Sequence, residues 1–420
     1  MGAYALIACH ECDLLHHATP IAAGERAHCS RCGARLYRDV EGALQRCSAL
    51  YLAALICFVL ANYYPFLSLK IDDRMETIHL VNSGWALMEQ GMPMLGLLVL
   101  LTSLVSPLIM VVGHLYLLLA RTMCHSSHWH PPACGLVYRI LRRIAPWSMV
   151  SVFMLGTLIS VVKLLDLAEV IPGVGAAALM VMMLFTVAAE SSFDSQLIWP
   201  HKPPHQEAGD QQVAPRSSAR HNALISCHYC KLLVAERQLD GGDGRCPQCG
   251  GGLHGRKPES ITRTWALLIA AMLLLIPANL YPVMTVIQLG QGDPSTILGG
   301  VVHLAEAGMW GLASIIFFAS VVVPGAKLIS FVWMLSTIQR SSPYRPVERT
   351  RLYRIAETIG AWSMVDIFVV ALLAALVQMG ELATIEPGLG ALFFACVVVV
   401  TMCAAESFDS RLIWDRLPNS

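Results

Sequence analysis

Eight long apolar runs, two clusters of four cysteines and an internal repeat predict an all-α polytopic membrane protein. It is built from two tandem four-helix transmembrane units, each preceded by a small β-rich four-cysteine domain. The chain has 420 residues, 55% hydrophobic and 14% charged, with a mean hydropathy of +0.58. That balance suits a bilayer better than water. Formal net charge is zero, which gives no global electrostatic case for nucleic acid.

Apolar runs fall at roughly 48 to 68, 93 to 120, 146 to 164, 174 to 190, 264 to 284, 310 to 336, 360 to 378 and 388 to 405. Each approaches the ~20 residues needed to cross ~30 Å of hydrocarbon. Arg121, Arg139, Arg142 and Arg143 lie between the second and third runs, and Arg340, Arg345, Arg349, Arg351 and Arg354 between the sixth and seventh. An excess of Arg and Lys marks cytoplasmic loops. The opposite loops carry acids such as Asp72, Asp73, Asp293 and Glu386. With an even count, both termini and both cysteine domains are expected in the cytoplasm. The first 47 residues lack the basic and apolar regions of a cleaved signal peptide, in keeping with that orientation.

The second half repeats the first at an offset of 215 to 218 residues. Ala-Asn62-Tyr-Tyr-Pro65 returns as Ala-Asn279-Leu-Tyr-Pro282, Pro107 as Pro324, and Trp147-Ser148-Met149 as Trp362-Ser363-Met364. Pro172-Gly173 returns as Pro387-Gly388, and the Glu190 to Asp194 segment as Glu406 to Asp409. Four spans per unit give the two copies one orientation, related by an axis along the membrane normal, with their interface a candidate pathway. The resulting division is 1–47 for the first cysteine domain, 48–194 for the first membrane unit, 195–222 for a linker, 223–256 for the second cysteine domain, 257–410 for the second unit and 411–420 for a tail.

Cys9xxCys12 precedes Cys29xxCys32 by 16 residues, and Cys227xxCys230 precedes Cys246xxCys249 by 15. These are the spacings of a zinc ribbon, and four thiolates leave the metal no open position, so two structural zinc ions per chain are expected. Gly33 and Gly250 follow the second pairs and supply the turn that lets backbone amides face the sulfurs. A redox role for the CxxC pairs is the alternative, but no βαβ pattern surrounds them.

Ionisable groups inside a span are costly and are read as functional candidates. Lys327 in the sixth run and Asp366 in the seventh lie ~10 to 14 Å deep at 1.5 Å per residue. The equivalents in the first unit are Met110 and Ser151, so both charges are present in one copy and absent from the other. Ser320, seven residues before Lys327, and Thr401 on the eighth run extend this into a Ser320, Lys327, Asp366 and Thr401 network. A static ion pair is the plainer reading of Lys327 and Asp366. Lys163 and Asp166 form a secondary candidate pair near the outer end of the third run. Pro324-Gly325 is expected to kink the sixth helix.

Tandem four-cysteine ribbons, four spans after each, the AN-x-YP motif and the closing AAES-(S)-FDS motif together resemble the paraquat-inducible protein A family along essentially the whole chain. That resemblance implies a Gram-negative inner-membrane protein whose partner is a periplasmic MCE-domain protein. It also implies traffic of membrane lipid, phospholipids being the expected cargo, between the inner and outer membranes. No GxxxxGK[ST] phosphate loop occurs, so a transporter subunit rather than an ATPase or other enzyme is expected. A non-transporting scaffold for the MCE partner and a membrane thiol redox protein are the alternatives.

Overall fold

A computed structural model describes residues 6–19, 21–22, 24–71, 74–123, 133–164, 169–199, 217–236, 244–288, 291–306, 308–376 and 383–415. Among these, eight helices are long and apolar enough to cross a membrane. They are Ala43–Tyr63, Pro93–Met123, Cys134–Val162, Val174–Ser192, Ser260–Leu280, Ala313–Gln339, Pro346–Ala375 and Leu389–Ser407, here numbered as the first to eighth spans. Leu52, Ile56, Leu273 and Ile276 are among many large apolar side chains left exposed, as expected of a lipid-facing surface.

The first and fifth spans end four to five residues sooner than hydropathy alone suggests. Pro65 and Pro282 are the reason. A residue before proline is pushed out of the helical region, and Tyr64 (ψ 153°) and Tyr281 (ψ 148°) are extended. The third and seventh spans begin earlier than expected, because the Arg-rich segments read as loops are amphipathic helices, Cys134–Ile144 and Pro346–Gly360. Cys134, Tyr138 and Leu141 form their buried stripe in the first unit, at helical spacing. A 3₁₀ turn, Ala145–Trp147 or Ala361–Met364, then separates each of these helices from the apolar helix that follows.

Two repeated motifs prove to be contact partners. Gly173 N–H donates to the Phe66 carbonyl at 3.0 Å and Gly175 N–H to that of Pro65 at 3.0 Å. In the second unit Gly388 N–H meets Val283 O at 2.8 Å and Gly390 N–H meets Pro282 O at 2.9 Å. A Cβ added to Gly173 would lie 2.1 Å from Pro65 O, and one on Gly388 2.2 Å from Pro282 O. Glycine at these positions therefore lets the fourth and eighth spans start against the ends of the first and fifth.

Beyond the spans, at the end opposite the ribbons, each unit carries a three-stranded antiparallel sheet absent from the sequence reading. Leu67–Ile71 is central in one, between Arg74–Ile78 and Glu169–Pro172. Met284–Gln288 is central in the other, between Gln291–Ser295 and Ala383–Pro387. Short apolar helices, Leu80–Glu89 and Ile297–Glu306, follow the hairpins.

The third and seventh spans pack on each other along the seam between units. Phe153 and Phe368 are repeat equivalents, and their rings meet at 5.3 Å, edge to face, which places them on the pseudo-twofold axis. Residues 367 to 374 of the seventh span are all buried. The seam expected as a candidate pathway is filled by apolar side chains.

Each ribbon docks on the membrane unit of the other copy. The first ribbon shares a core with Leu268, Phe331, Met334 and Phe408 of the second unit. The second ribbon shares one with Met110, Leu117 and Tyr138 of the first and with Trp199 just beyond it.

Candidate functional site

In each ribbon the four Sγ atoms lie within 4.8 Å of one another, and all eight cysteines are buried. Cys9 and Cys32 Sγ are 3.5 Å apart, Cys12 and Cys29 3.4 Å, and both Cys227 to Cys249 and Cys230 to Cys246 are 3.5 Å. Those distances exclude disulfides, which need about 2.05 Å, and approach the ~3.8 Å edge of a tetrahedron with metal to sulfur bonds of about 2.3 Å. The two groups can each hold a metal ion, and their soft, closed donor sets suit a structural one.

Local folding explains the spacing. Gly33 (φ 73°) and Gly250 (φ 68°) take the left-handed turn expected of them, donating to Cys29 O at 2.9 Å and Cys246 O at 2.8 Å. Asp13 and Lys231, both at φ 63°, do the same after the first pairs, with bonds to Cys9 O and Cys227 O at 2.9 Å. The sequence reading missed these two because they are not glycine. Their equivalent place after each CxxC was the signal.

One arginine per unit holds the other copy's ribbon. Arg354 donates to Glu11 at 2.6 Å and to Cys32 O at 2.5 Å; its repeat equivalent, Arg139, donates to Gly250 O. Burial pushes the Glu11 carboxyl up while Arg354 opposes that shift. Arg31 stacks over Trp414 at 4.4 Å. Arg256, at the end of the second ribbon, bridges Asp13 at 2.9 Å and Asp415 at 2.6 Å, so ribbons and C-terminal segment form one ion network. The two acids hold Arg256 protonated against its burial.

Within the second unit, Lys327 is buried and its Nζ donates to Thr401 Oγ1 at 3.3 Å. The sixth span continues to Gln339, which puts Lys327 about 18 Å from that helix end at 1.5 Å per residue. A Cβ on Gly360 would sit 2.6 Å from Nζ, so Gly360 makes room for the ammonium. Ser320, also buried, donates to Ile316 O at 2.7 Å within a π-turn, Phe318–Val322. A matching π-turn, Leu101–Val105, precedes Pro107. Each widened turn absorbs the steric demand of a proline inside the span. Asp366 lies in the first turn of Val365–Leu376, where the helix dipole favours a carboxylate. Lys327 and Thr401 are thus brought together. Lys163 lies near the end of the helix Val150–Leu164, and Asp166 falls outside the described residues.

At the ends of the fourth and eighth spans, no ion pair joins Glu190, Asp194, Glu406 or Asp409 to Arg142, Arg143 or Arg354 among the described residues. Asp409 binds Arg411 through two bonds of 2.9 and 2.8 Å and accepts from Lys257 N–H at 3.0 Å. Burial raises its pKa, but Arg411 and these amides outweigh that and hold it at about 2.

The family model for paraquat-inducible protein A matches twice, at residues 44–202 and 261–418. The chain is 34% identical to "Intermembrane transport protein PqiA" of Escherichia coli (strain K12), over 99% of this chain and 96% of that protein. It is 28% identical to "Lipophilic envelope-spanning tunnel protein A" of the same strain, covering 97% and 90% of the two chains. It is 25% identical to "Probable intermembrane transport protein" of Haemophilus influenzae, covering 98% and 96%. No solved structure matches the chain.

Proposed function

Since the chain belongs to the paraquat-inducible protein A family, with relatives named for intermembrane transport, we propose that it is the inner-membrane subunit of a lipid transport system. It loads or extracts phospholipid and exchanges it with a periplasmic MCE-domain partner; both ribbons are cytoplasmic and each holds a structural zinc ion. The observation that carries the transport reading is the buried ammonium of Lys327 against Thr401, deep in one unit and absent from the other. An unneeded buried charge is a burden that a passive scaffold has no reason to keep.

In this reading Lys327, Thr401, Ser320 and Asp366 form the polar path through the second unit, by which head groups or protons cross the apolar core. Lys327→Ala or Asp366→Ala abolishes envelope integrity in a deletion strain at normal protein levels. The double change Lys327→Met with Asp366→Ser copies the first unit and restores charge balance. Its failure to support integrity at parental abundance is the expected result. Full support from it makes the four residues structural and returns the scaffold reading.

A further inference from the structure

A cavity of about 80 Å³ lies in the first unit, lined by Tyr51, Met110, Ser148, Ser151, Thr186 and Glu190 among others. That volume accommodates several waters or one small polar group. Met110 and Ser151 are the repeat equivalents of Lys327 and Asp366, and Ser148 of Ser363, so this is the first-unit counterpart of the Lys327 site. Two of its groups lack the partners their chemistry calls for. The Tyr51 hydroxyl, on a residue 1% exposed, has no hydrogen-bond partner, and a buried polar atom left so costs about 1 to 3 kcal/mol. Glu190 is the exposed acid of the lining, two residues before the end of Val174–Ser192, and its carboxylate has no ion pair or hydrogen bond among the described residues. A carboxylate there faces the negative end of the helix dipole, which calls for a cation.

The equivalent space of the second unit holds a cation of the chain's own. Lys327 places its own ammonium in the equivalent space, and Gly360 leaves room for it. In the first unit, methionine replaces that lysine and Ala145 replaces that glycine, so no internal cation arrives.

We infer that the first-unit cavity binds a primary ammonium group from outside the chain, set between Glu190 and the Tyr51 hydroxyl. A primary ammonium has three N–H donors for the carboxylate, the phenol oxygen and a Ser or Thr oxygen; a quaternary ammonium has none. The single carboxylate and the methionine walls do not match a divalent ion. Glu190 lies about 3 Å from its helix end at 1.5 Å per residue, at the level of lipid head groups, and an ethanolamine-type head group is the source at that depth.

The test uses the full-length protein purified in detergent and native mass spectrometry with phospholipids of matched chains bearing ethanolamine, choline or glycerol head groups. Free ethylammonium is titrated in a parallel arm. The parent retains the ethanolamine lipid at least tenfold over the other two, and Glu190→Gln and Tyr51→Phe each erase that preference. If ethylammonium competes and no lipid preference exists, the source is a free amine; the site stands and its lipid assignment falls. Met110→Lys with Ala145→Gly supplies an internal ammonium as the second unit does, and it removes head-group selectivity while keeping parental melting and metal content. Equal retention of all three lipids by the parent, with no competition by ethylammonium, overturns the inference. Because this readout is binding at the first unit, it is independent of Lys327 and of the transport reading.

Discussion

At Asp409, four backbone and side-chain donors converge on a carboxylate that is 4% exposed, and its pKa of about 2 carries a pH dependence. The folded pKa lies below the ordinary value, so the stabilisation is present above about pH 4 and is lost as pH falls toward 2. It amounts to roughly 2 kcal/mol. Asp409→Asn leaves Arg411 buried without its counter-charge, which costs about 3 to 5 kcal/mol. Thermal unfolding at pH 5 and pH 3 then shows a smaller acid-induced drop in the variant than in the parent; equal drops would place the acid sensitivity elsewhere. Also at this scale, Lys327 was legible in the sequence as a lone charge in an apolar run, and Thr401 as a hydroxyl at compatible depth. Gly360 was not, because its role is the absence of a side chain beside an ammonium brought near only by packing.

The ribbons are elements whose four-sulfur groups were legible, since CxxC spacing fixes which four sulfurs can converge. Where they dock was not, because Arg354 and Arg139 belong to segments that read as loops. In an amphipathic helix an arginine presents its guanidinium on one face, and here that face meets a ribbon carbonyl. Arg354→Ala leaves Cys32 O and Glu11 without a donor, a loss of about 1 to 2 kcal/mol of docking given that Arg354 is one-third exposed. Hydrogen exchange should quicken in the first ribbon for Arg354→Ala and in the second for Arg139→Ala, with two zinc ions per chain retained in both variants. Quickening in the opposite ribbon would contradict the exchanged docking, and fewer than two zinc ions in the parent would contradict the metal assignment.

For the whole molecule, the arginine-rich helices and the three-stranded sheets lie at opposite ends, and the proposed orientation is tested from both sides. A cysteine at Asp293, in the strand Gln291–Ser295, is expected to react with an impermeant maleimide added to intact spheroplasts. One at Tyr344, which is 60% exposed, reacts only in inverted vesicles. Labelling of Asp293→Cys from the cytoplasmic side alone would overturn the eight-span topology. Duplication also sets the symmetry: Phe153 and Phe368 meet because equivalent residues of two like-oriented units coincide at a twofold axis.

Sequence by itself determined the eight spans, the duplication, the two four-sulfur sites and the deep lysine. Each is encoded locally, in the length of an apolar run, a fixed offset or a cysteine spacing. Tertiary structure alone decided that each ribbon crosses to the other unit and that the Pro-Gly motif of one span seats on the Tyr-Pro motif of another. It also decided that the hairpins opposite the ribbons recruit a third strand about 100 residues away, and that the first unit keeps a cavity where the second holds Lys327. These depend on contacts between segments far apart in the chain, where backbone carbonyls and missing side chains do the recognising and leave no pattern in residue type.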